Sequence, residues 1–387
     1  MESVTGRERQ ELAFNKRLLK NLDYVLIGNI ILIMGLSLLI LSSATANIAA
    51  DPLFYVKKHL LSIGLGVICA VIIISFDYTK LMRFDKYIYL LLIILLVAVD
   101  IKGIVSHGAR QWLSLGPFVF QPSEFGKIMM IICFASFLVK RQGELRTLKD
   151  LIPSFLYFSV PFLLIVLQDL GTALVFVVIL FGMLYIAGAK PSLLLGIIGT
   201  GLAVVVLAVG LHLSPLELPL PLKDHQINRL TAFIDPYKDP HDTGYHIIQS
   251  LVAVGSGGLL GKGLYHGTQV QLNFLPEHHT DFIFSVVGEE LGFVGAAFVL
   301  LLYYILISRT IRTAFRSRDL FGRLIVGGIV CMWLFHIFEN VGMAIGVMPV
   351  TGIPLPFLSH GGSFMIANLA AIGLILNVQL RRENMLF

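Results

Sequence analysis

Asp281 closes the stretch Asn273-Phe-Leu-Pro-Glu-His-His-Thr-Asp281-Phe-Ile-Phe284, in which a polar loop runs straight into an apolar helix. A carboxylate on such a boundary loses part of its hydration, which raises its pKa and makes it a better base. Glu277 and Thr280 stand beside it. The residues before it, 211–281, are the one long polar interruption of the chain and carry Asp224, Arg229, Asp235, Lys238, Asp239 and Asp242, then Gly255, Gly257, Gly258, Gly261 and Gly263. A tether between two helices needs far fewer residues; the plain alternative is a solvated surface loop. The glycines permit tight backbone turns, but they are not spaced as a nucleotide-binding loop. Residues 244–250 read as the start of a short amphipathic helix lying in the membrane interface.

Other polar residues sit inside apolar runs. In Gln121-Pro-Ser-Glu124-Phe-Gly-Lys127 the acid and the base are three apart and share a helix face. Lys127 lies about one turn inside its span, so it must face protein or a wet cavity and find a partner. Two readings stay open for this pair: an ion pair that only fixes packing, or a pair that faces substrate. Asp169, in Gln168-Asp-Leu-Gly-Thr172, either caps a helix or joins the polar region. Past Asp281, Ser285 and Gly288 stack on its face with Glu289 at the edge. Glu289 is expected about 12 Å deeper, at 1.5 Å per residue. His336, Glu339 and Asn340 share one side of a later span. The segment 348–363, ending in Ser363, holds prolines and glycines but no Asp, Glu, Lys or Arg. Non-helical backbone at membrane depth must be shielded by protein or line a cavity.

The elements that must position these groups are membrane helices. Of 387 residues 56% are hydrophobic and only 14% charged, the composition of a polytopic membrane protein. Ten apolar spans are expected at about 22–41, 59–76, 87–105, 124–139, 152–167, 171–188, 192–211, 282–308, 323–345 and 362–380. The fold class is therefore an all-α polytopic membrane protein of about ten transmembrane helices, with one long extracytoplasmic loop between helices 7 and 8. Residues 1–21 form a cytoplasmic tail with an interfacial helix, 22–380 a single transmembrane domain with its large loop at 212–281, and 381–387 a second cytoplasmic tail. Of the 29 Lys and Arg, 20 fall on the side of the termini and eight on the other, leaving Lys127 inside a span. By the positive-inside rule both termini are cytoplasmic and the long loop faces outward. The net charge of +5 reflects this topology, and no nucleic-acid partner is expected. Ala44-Thr-Ala46 resembles a signal cleavage site, but the preceding region is long and nine spans follow. Cys69, Cys133 and Cys331 lie in apolar runs without motif spacing, so neither a disulfide frame nor a metal site is indicated.

With this orientation Glu124, Lys127, Asp169, Asp281, Glu289, Glu339, Asn340 and Ser363 all fall at or near the outer ends of their spans. A polar chamber open outward and closed inward follows, which argues against a lipid flippase, since a flippase needs polar groups along its whole path. A non-catalytic scaffold gains nothing from a carboxylate at the interface.

Together these stretches resemble the SEDS family (shape, elongation, division and sporulation), the RodA and FtsW type of peptidoglycan glycosyltransferase. The motifs are Gln121-Pro-Ser-Glu124, Asp169-Leu-Gly-Thr172, Arg229 with Asp235-Pro236, Gly244-Tyr245 with Gln249-Ser250, Pro276-Glu277 with Thr280-Asp281-Phe282-Ile283-Phe284, and 349–357 with Gly361-Gly-Ser363. Within the family the chain is most similar to the RodA branch, from Asn368 onward and in Arg381-Arg-Glu-Asn; the division and sporulation branches are the alternatives. It departs from the usual pattern at Leu167-Gln168, at His360 where tyrosine is usual, and at Arg110-Gln111-Trp112. The resemblance implies polymerisation of lipid II, the undecaprenyl-pyrophosphate-linked disaccharide peptide, outside the membrane, for wall elongation and rod shape. It places the essential carboxylate on Asp281 and implies a class B penicillin-binding protein as the crosslinking partner. Arg110, Lys127 and Arg229 are the candidate cations for the departing pyrophosphate. No cofactor is certain; a divalent cation at Asp281 is chemically reasonable, though no ligand spacing demands it.

Overall fold

The computed structural model describes residues 21–48, 51–106, 109–115, 118–166, 168–212, 224–238 and 243–382. The interfacial helix expected before Asn21, the stretch 213–223 and nearly all of the C-terminal tail lie outside them. Among the described residues a helix lies at the place of each expected span: Tyr24–Ala44 (α1), Phe54–Ser75 (α2), Asp85–Lys102 (α3), Pro122–Val139 (α4), Leu148–Val166 (α5), Leu170–Ile186 (α6), Pro191–His212 (α7), Ile283–Phe315 (α11), Leu320–Ala344 (α12) and Gly362–Leu380 (α13). Eight are long and apolar enough to cross a membrane, α6 is shorter at 17 residues, and α3 carries charges at both ends. The chain is a multi-pass helical membrane protein.

The buried centre is formed by α4, α12 and α13, with α13 enclosed along almost its whole length and α7 bare on nearly every side. Close helix approach there depends on small residues, as it must where burial against lipid supplies little drive. A Cβ on Gly66 of α2 would stand 2.5 Å from Leu369 of α13, and one on Gly373 of α13 only 2.8 Å from the backbone of Ala70.

Three short helices lie between α7 and α11: Asp224–Ile234 (α8), Thr243–Ser256 (α9) and Thr268–Gln271 (α10). With their loops they form a cap resting on α11 and α12. Beneath it Ala232, Ile247, Ala253, Leu275, Phe282, Met343 and Val350 make a small apolar core separate from the main one. That core seats Phe282, and with it the residue before. One feature departs from an all-helical chain. The connection between α3 and α4 holds an antiparallel meander, β1 (Ile104–Ser106), β2 (Ala109–Leu115) and β3 (Phe118–Phe120). Its alternating residues around Trp112 suit a strand, but in a chain dominated by apolar runs the signal is too short to stand out.

The larger difference concerns the expected eighth span. It is two helices joined at Gly292, whose φ of 66° and ψ of −165° leave the helical region. Such a break strips amide and carbonyl groups of their helical partners, at high cost in apolar surroundings. The glycine run supplies replacements. Phe293 N and Val294 N donate to Gly258 O and Leu259 O at 2.9 and 3.1 Å, while Lys262 N and Gly263 N donate to Glu289 O and Glu290 O at 3.0 and 2.9 Å. The loop must come within backbone contact to do this: a Cβ on Gly257 would meet Gly288 O at 2.0 Å, and one on Gly261 would meet Glu290 O at 2.2 Å.

The break also corrects the expected depth of Glu289. Glu290 accepts from Ser43 Oγ at 2.6 Å, and the His278 ring meets Ala44 O at 2.8 Å. Both contacts are to the last turn of α1, so residues 283–291 run along the end of the bundle instead of descending into it. The straight-helix spacing could not show a glycine turning the chain.

Gly292→Ala is expected to destabilise the fold, since it forces a side chain into a positive φ and places a Cβ 2.3 Å from Gly261 N. Strain of this kind costs about 1–3 kcal/mol before the clash is counted. A thermal melt in detergent micelles that matches the unmodified protein would contradict the backbone splice.

Candidate active site

Asp281 lies at the end of a non-helical segment folded on itself, one residue before the N-cap Phe282 of α11. The N–H groups of Thr280, Asp281 and Phe282 all point to Glu277 O, at 3.2, 3.1 and 3.2 Å. Glu277 holds a positive φ of 48° to allow this. Thr280 Oγ1 donates to Glu277 Oε2 at 3.0 Å. Two neighbours pin the segment from outside. His360 N donates to His279 O at 3.0 Å, and Asn340 Nδ2 donates to Asp281 O at 2.7 Å and to Ile353 O at 2.8 Å. Asn340 thereby ties the Asp281 backbone to the proline-rich segment 348–361.

That segment brings up Gly352, at φ 77°. Its missing side chain matters: the Cβ position lies 3.1 Å from Asp281 Oδ2 and 3.9 Å from both terminal nitrogens of Arg229. The guanidinium, on α8, is thus within 7.0 Å of the carboxylate oxygen, and both border the space that a side chain on this glycine would fill. Arg229 is held there by its Nη1 bond to Thr351 O, 2.8 Å. Asp169 closes the third side. It caps α6, accepting from Thr172 N at 3.0 Å and Thr172 Oγ1 at 2.7 Å, and α6 approaches so closely that a Cβ on Gly171 would meet Thr351 O at 3.0 Å.

The Asp281 carboxyl is pushed up to about 7, first by burial and then by the negative charge of Glu277. Asp169 pushes the same way, while Arg229 and the Thr280 hydroxyl oppose it. A carboxylate with a pKa near neutrality is suited to taking a proton.

Five expected residues, Asp281, Glu277, Thr280, Arg229 and Asp169, therefore converge. The rest lie elsewhere. Glu124 and Lys127 pair at 2.8 Å, 4% and 2% exposed, and Lys127 Nζ also donates to His336 Nε2 at 3.2 Å. The other imidazole nitrogen of His336 donates to Pro354 O at 3.0 Å, so the lysine is enclosed, although a narrow cavity between it, Met332, Phe364 and Asn368 adjoins the pair. Ser285 meets Ser250 Oγ at 2.7 Å within the cap's base. Glu289 is fully buried, paired to Lys262 at 2.7 Å and accepting from Gln269 N and Val270 N at the start of α10. Ser363 Oγ accepts from Gln121 N at 3.0 Å and ties α13 to the start of α4. Arg110 is exposed on β2 and donates to Asp100 O at 3.0 Å. Thr351 and Gly352 are absent from the expected set, and Glu339 and Asn340 were expected only in the polar chamber, without a role; periodicity puts those two on one side of α12, but nothing in the sequence tells what they hold. Among the described residues no group of three or more His, Cys, Asp or Glu side chains stands close enough together to hold a metal ion.

The model of the cell cycle protein family comprising FtsW, RodA and SpoVE matches residues 22–384. The chain belongs to this family. It is 37% identical over 363 residues to the peptidoglycan glycosyltransferase MrdB of Escherichia coli K12, covering 93% of this chain and 95% of that one. It is 39% identical over 367 residues to the stage V sporulation protein E of Bacillus subtilis 168, covering 92% and 96%. Among solved structures it is similar to a chain from a study of how a peptidoglycan synthase complex coordinates polymerization and crosslinking, at a TM-score of 0.78 and 32% identity over 93% of this chain and 98% of that one. It is also similar to the rod shape determining protein RodA of Thermus thermophilus, with a TM-score of 0.69, 30% identity and coverages of 94% and 98%. The FtsW/RodA/SpoVE fold thus extends over nearly the whole chain.

Lys127→Ala is expected to cost about 3–5 kcal/mol, because it leaves Glu124 buried and unpaired. Exchanging the two residues recovers more stability than either single change if the pair only fixes packing. A cycle of single and double variants on melting temperature and activity checks this, and additive effects would show that the two charges do not interact.

Proposed function

We propose that this chain polymerises lipid II into glycan strands, with Asp281 as the general base. The observation that carries the reading is a carboxyl with a pKa pushed up to about 7 and a guanidinium beside it, both bordering Gly352. The acceptor 4-hydroxyl attacks the anomeric carbon of the donor sugar. Its proton passes to Asp281 as the new C–O bond forms, and the bond to the lipid pyrophosphate breaks with its electrons leaving on the pyrophosphate. Pyrophosphate is already a good leaving group, so the chain's task is to activate the hydroxyl and offset the developing charge. Arg229 is the cation placed for the second task. Lys127, closed in by Glu124 and His336, and Arg110, out on the hairpin, stand less directly. No step is routed through a metal.

The reaction takes place on the outer face of the bacterial cytoplasmic membrane, with both termini inside, as the distribution of Lys and Arg supports. The strands serve wall elongation. A class B penicillin-binding protein, crosslinking what this chain polymerises, is the proposed partner; the relative from a peptidoglycan synthase complex that coordinates polymerization and crosslinking supports it.

Asp281→Asn keeps shape but cannot accept the proton. Purified variant supplied with lipid II is expected to give no polymer on a gel while melting like the unmodified protein, and polymer at the ordinary rate would remove Asp281 from the mechanism. Because the base works only when ionised, activity is also expected to be lost as pH falls through about 7 and to reach a plateau above it. A rate unchanged between about pH 5 and pH 9, a range spanning that titration by about two units on each side, would rule out this carboxyl as the titrating base.

A further inference from the structure

Glu339 has no part in the reaction described so far. It lies on α12 one residue before Asn340, 1% exposed, with Oε1 accepting from Thr351 Oγ1 at 2.8 Å and Oε2 without a hydrogen-bond partner among the described residues. A buried carboxyl with a bare oxygen is costly, and an apolar residue would pack there more cheaply. Helix packing alone is a poor reason for it.

What it holds is more telling. Thr351, 7% exposed, receives Glu339 on its hydroxyl side and presents its carbonyl oxygen to Arg229 Nη1 at 2.8 Å. The peptide then turns through Gly352, against which the Asp281 carboxylate lies. The next residue of α12, Asn340, holds the other side through Asp281 O and Ile353 O. Two consecutive residues of one helix therefore grip both halves of the site.

We infer that Glu339 is a positioning residue for polymerisation: acting through Thr351, it sets where the Arg229 guanidinium stands relative to the Asp281 carboxylate. The inference rests on Asp281 being the base. Without the Glu339–Thr351 bond the 351–353 segment can rotate its carbonyl away, and Arg229 loses its anchor. The charged groups around Asp281 are Glu277 on its own segment, Asp169 at the start of α6 and Arg229 on α8, with the Thr280 hydroxyl beside it. Of these only Arg229 is a cation, so its departure removes the one positive charge that favours the ionised base.

The test measures polymerisation rate against pH for three variants. Thr351→Val deletes the hydroxyl but keeps the shape and the backbone carbonyl; Glu339→Leu deletes the carboxyl; Glu339→Gln keeps an acceptor for the hydroxyl. The Val and Leu variants are expected to lose about tenfold or more in kcat/KM and to shift the acid limb of the profile upward by about half a unit or more, the direction set by losing a nearby positive charge. Glu339→Gln is expected to stay within about threefold of the unmodified protein, since a neutral acceptor replaces much of such a bond. The double Leu/Val variant should be no worse than the poorer single one, because both changes break the same bond. An acid limb that stays in place in a folded Thr351→Val protein, or additive losses in the double variant, overturns the inference. If Glu339→Leu does not fold, Thr351→Val decides alone. An active Asp281→Asn protein would instead bring down the underlying reading, whereas an inactive one with an unmoved limb in Thr351→Val rejects only the role of Glu339.

Discussion

A backbone amide or carbonyl in apolar surroundings must find a partner within the protein, and a helix is the simplest way to satisfy it. The site is made from chain that is not helical. Segments 273–282 and 348–361 meet at Asp281, and the few bonds within each, such as those to Glu277 O and Leu355 O, leave other groups to be satisfied from outside. Most of the remaining partners are side chains projected from the surrounding helices. Asn340 takes Asp281 O and Ile353 O, Arg229 takes Thr351 O, His336 takes Pro354 O, Tyr303 OH takes Pro356 O at 2.7 Å and Ser37 takes Leu358 O at 2.7 Å, while Leu355 N finds Ser359 Oγ at 2.8 Å. Many buried polar residues that stand out in an apolar sequence thus replace the ladder that a helix supplies elsewhere. They also make the site rigid, because each carbonyl is fixed in direction by a side chain whose own helix is packed.

The same constraint governs the cap. Breaking a membrane-scale helix at Gly292 exposes several amides and carbonyls at once, too many for side chains alone. The glycine run lays a second backbone against the break and exchanges hydrogen bonds with it. Glycines are needed because the two chains approach to a distance no Cβ tolerates. Lys262 then reaches Glu289 from this loop, so the fully buried carboxylate is compensated by the element that repairs the break. Glu289 belongs to the architecture that holds the cap on the bundle.

That the chain is a series of membrane helices was legible in the sequence because an apolar run of membrane length suits a spanning helix and little else. Asp281 was legible as well, since a carboxylate at the start of an apolar run is conspicuous, and the Asp169 cap could be read from Gly171 and Thr172. What could not be read was where distant segments meet. Arg229 and Asp281 are separated by a long stretch of chain and are brought together by Gly352, whose role depends on a positive φ that composition does not reveal. Glu289 looked like a deeper member of the Asp281 face because the spacing assumes a helix that descends into the bundle; the segment before the break at Gly292 instead reaches the last turn of α1 through Glu290. Ser285 and Ser363 shared the polar character of the site but are consumed by Ser250 and Gln121 N, partners that periodicity cannot supply.

The separation between Arg229 and Asp281 has a consequence for the proposed reaction. Were the two in direct contact, the guanidinium would hold the carboxylate well below neutrality, by about 1–3 pH units for a neighbouring opposite charge, and the base would be always ionised but weak. Were Arg229 absent, burial with Glu277 and Asp169 alone would keep the carboxyl protonated at the pH where it must act. A cation held one glycine away does neither: it offsets part of the cost of burial and leaves Asp281 near 7. Among the described residues Arg229 donates through Nη1 to Thr351 O, and in the proposed reaction its remaining donors would meet the charge that develops on a leaving pyrophosphate. Proximity without contact lets one arginine serve both groups, and the rigidity of the Thr351–Gly352 link is what maintains that distance while the substrates change.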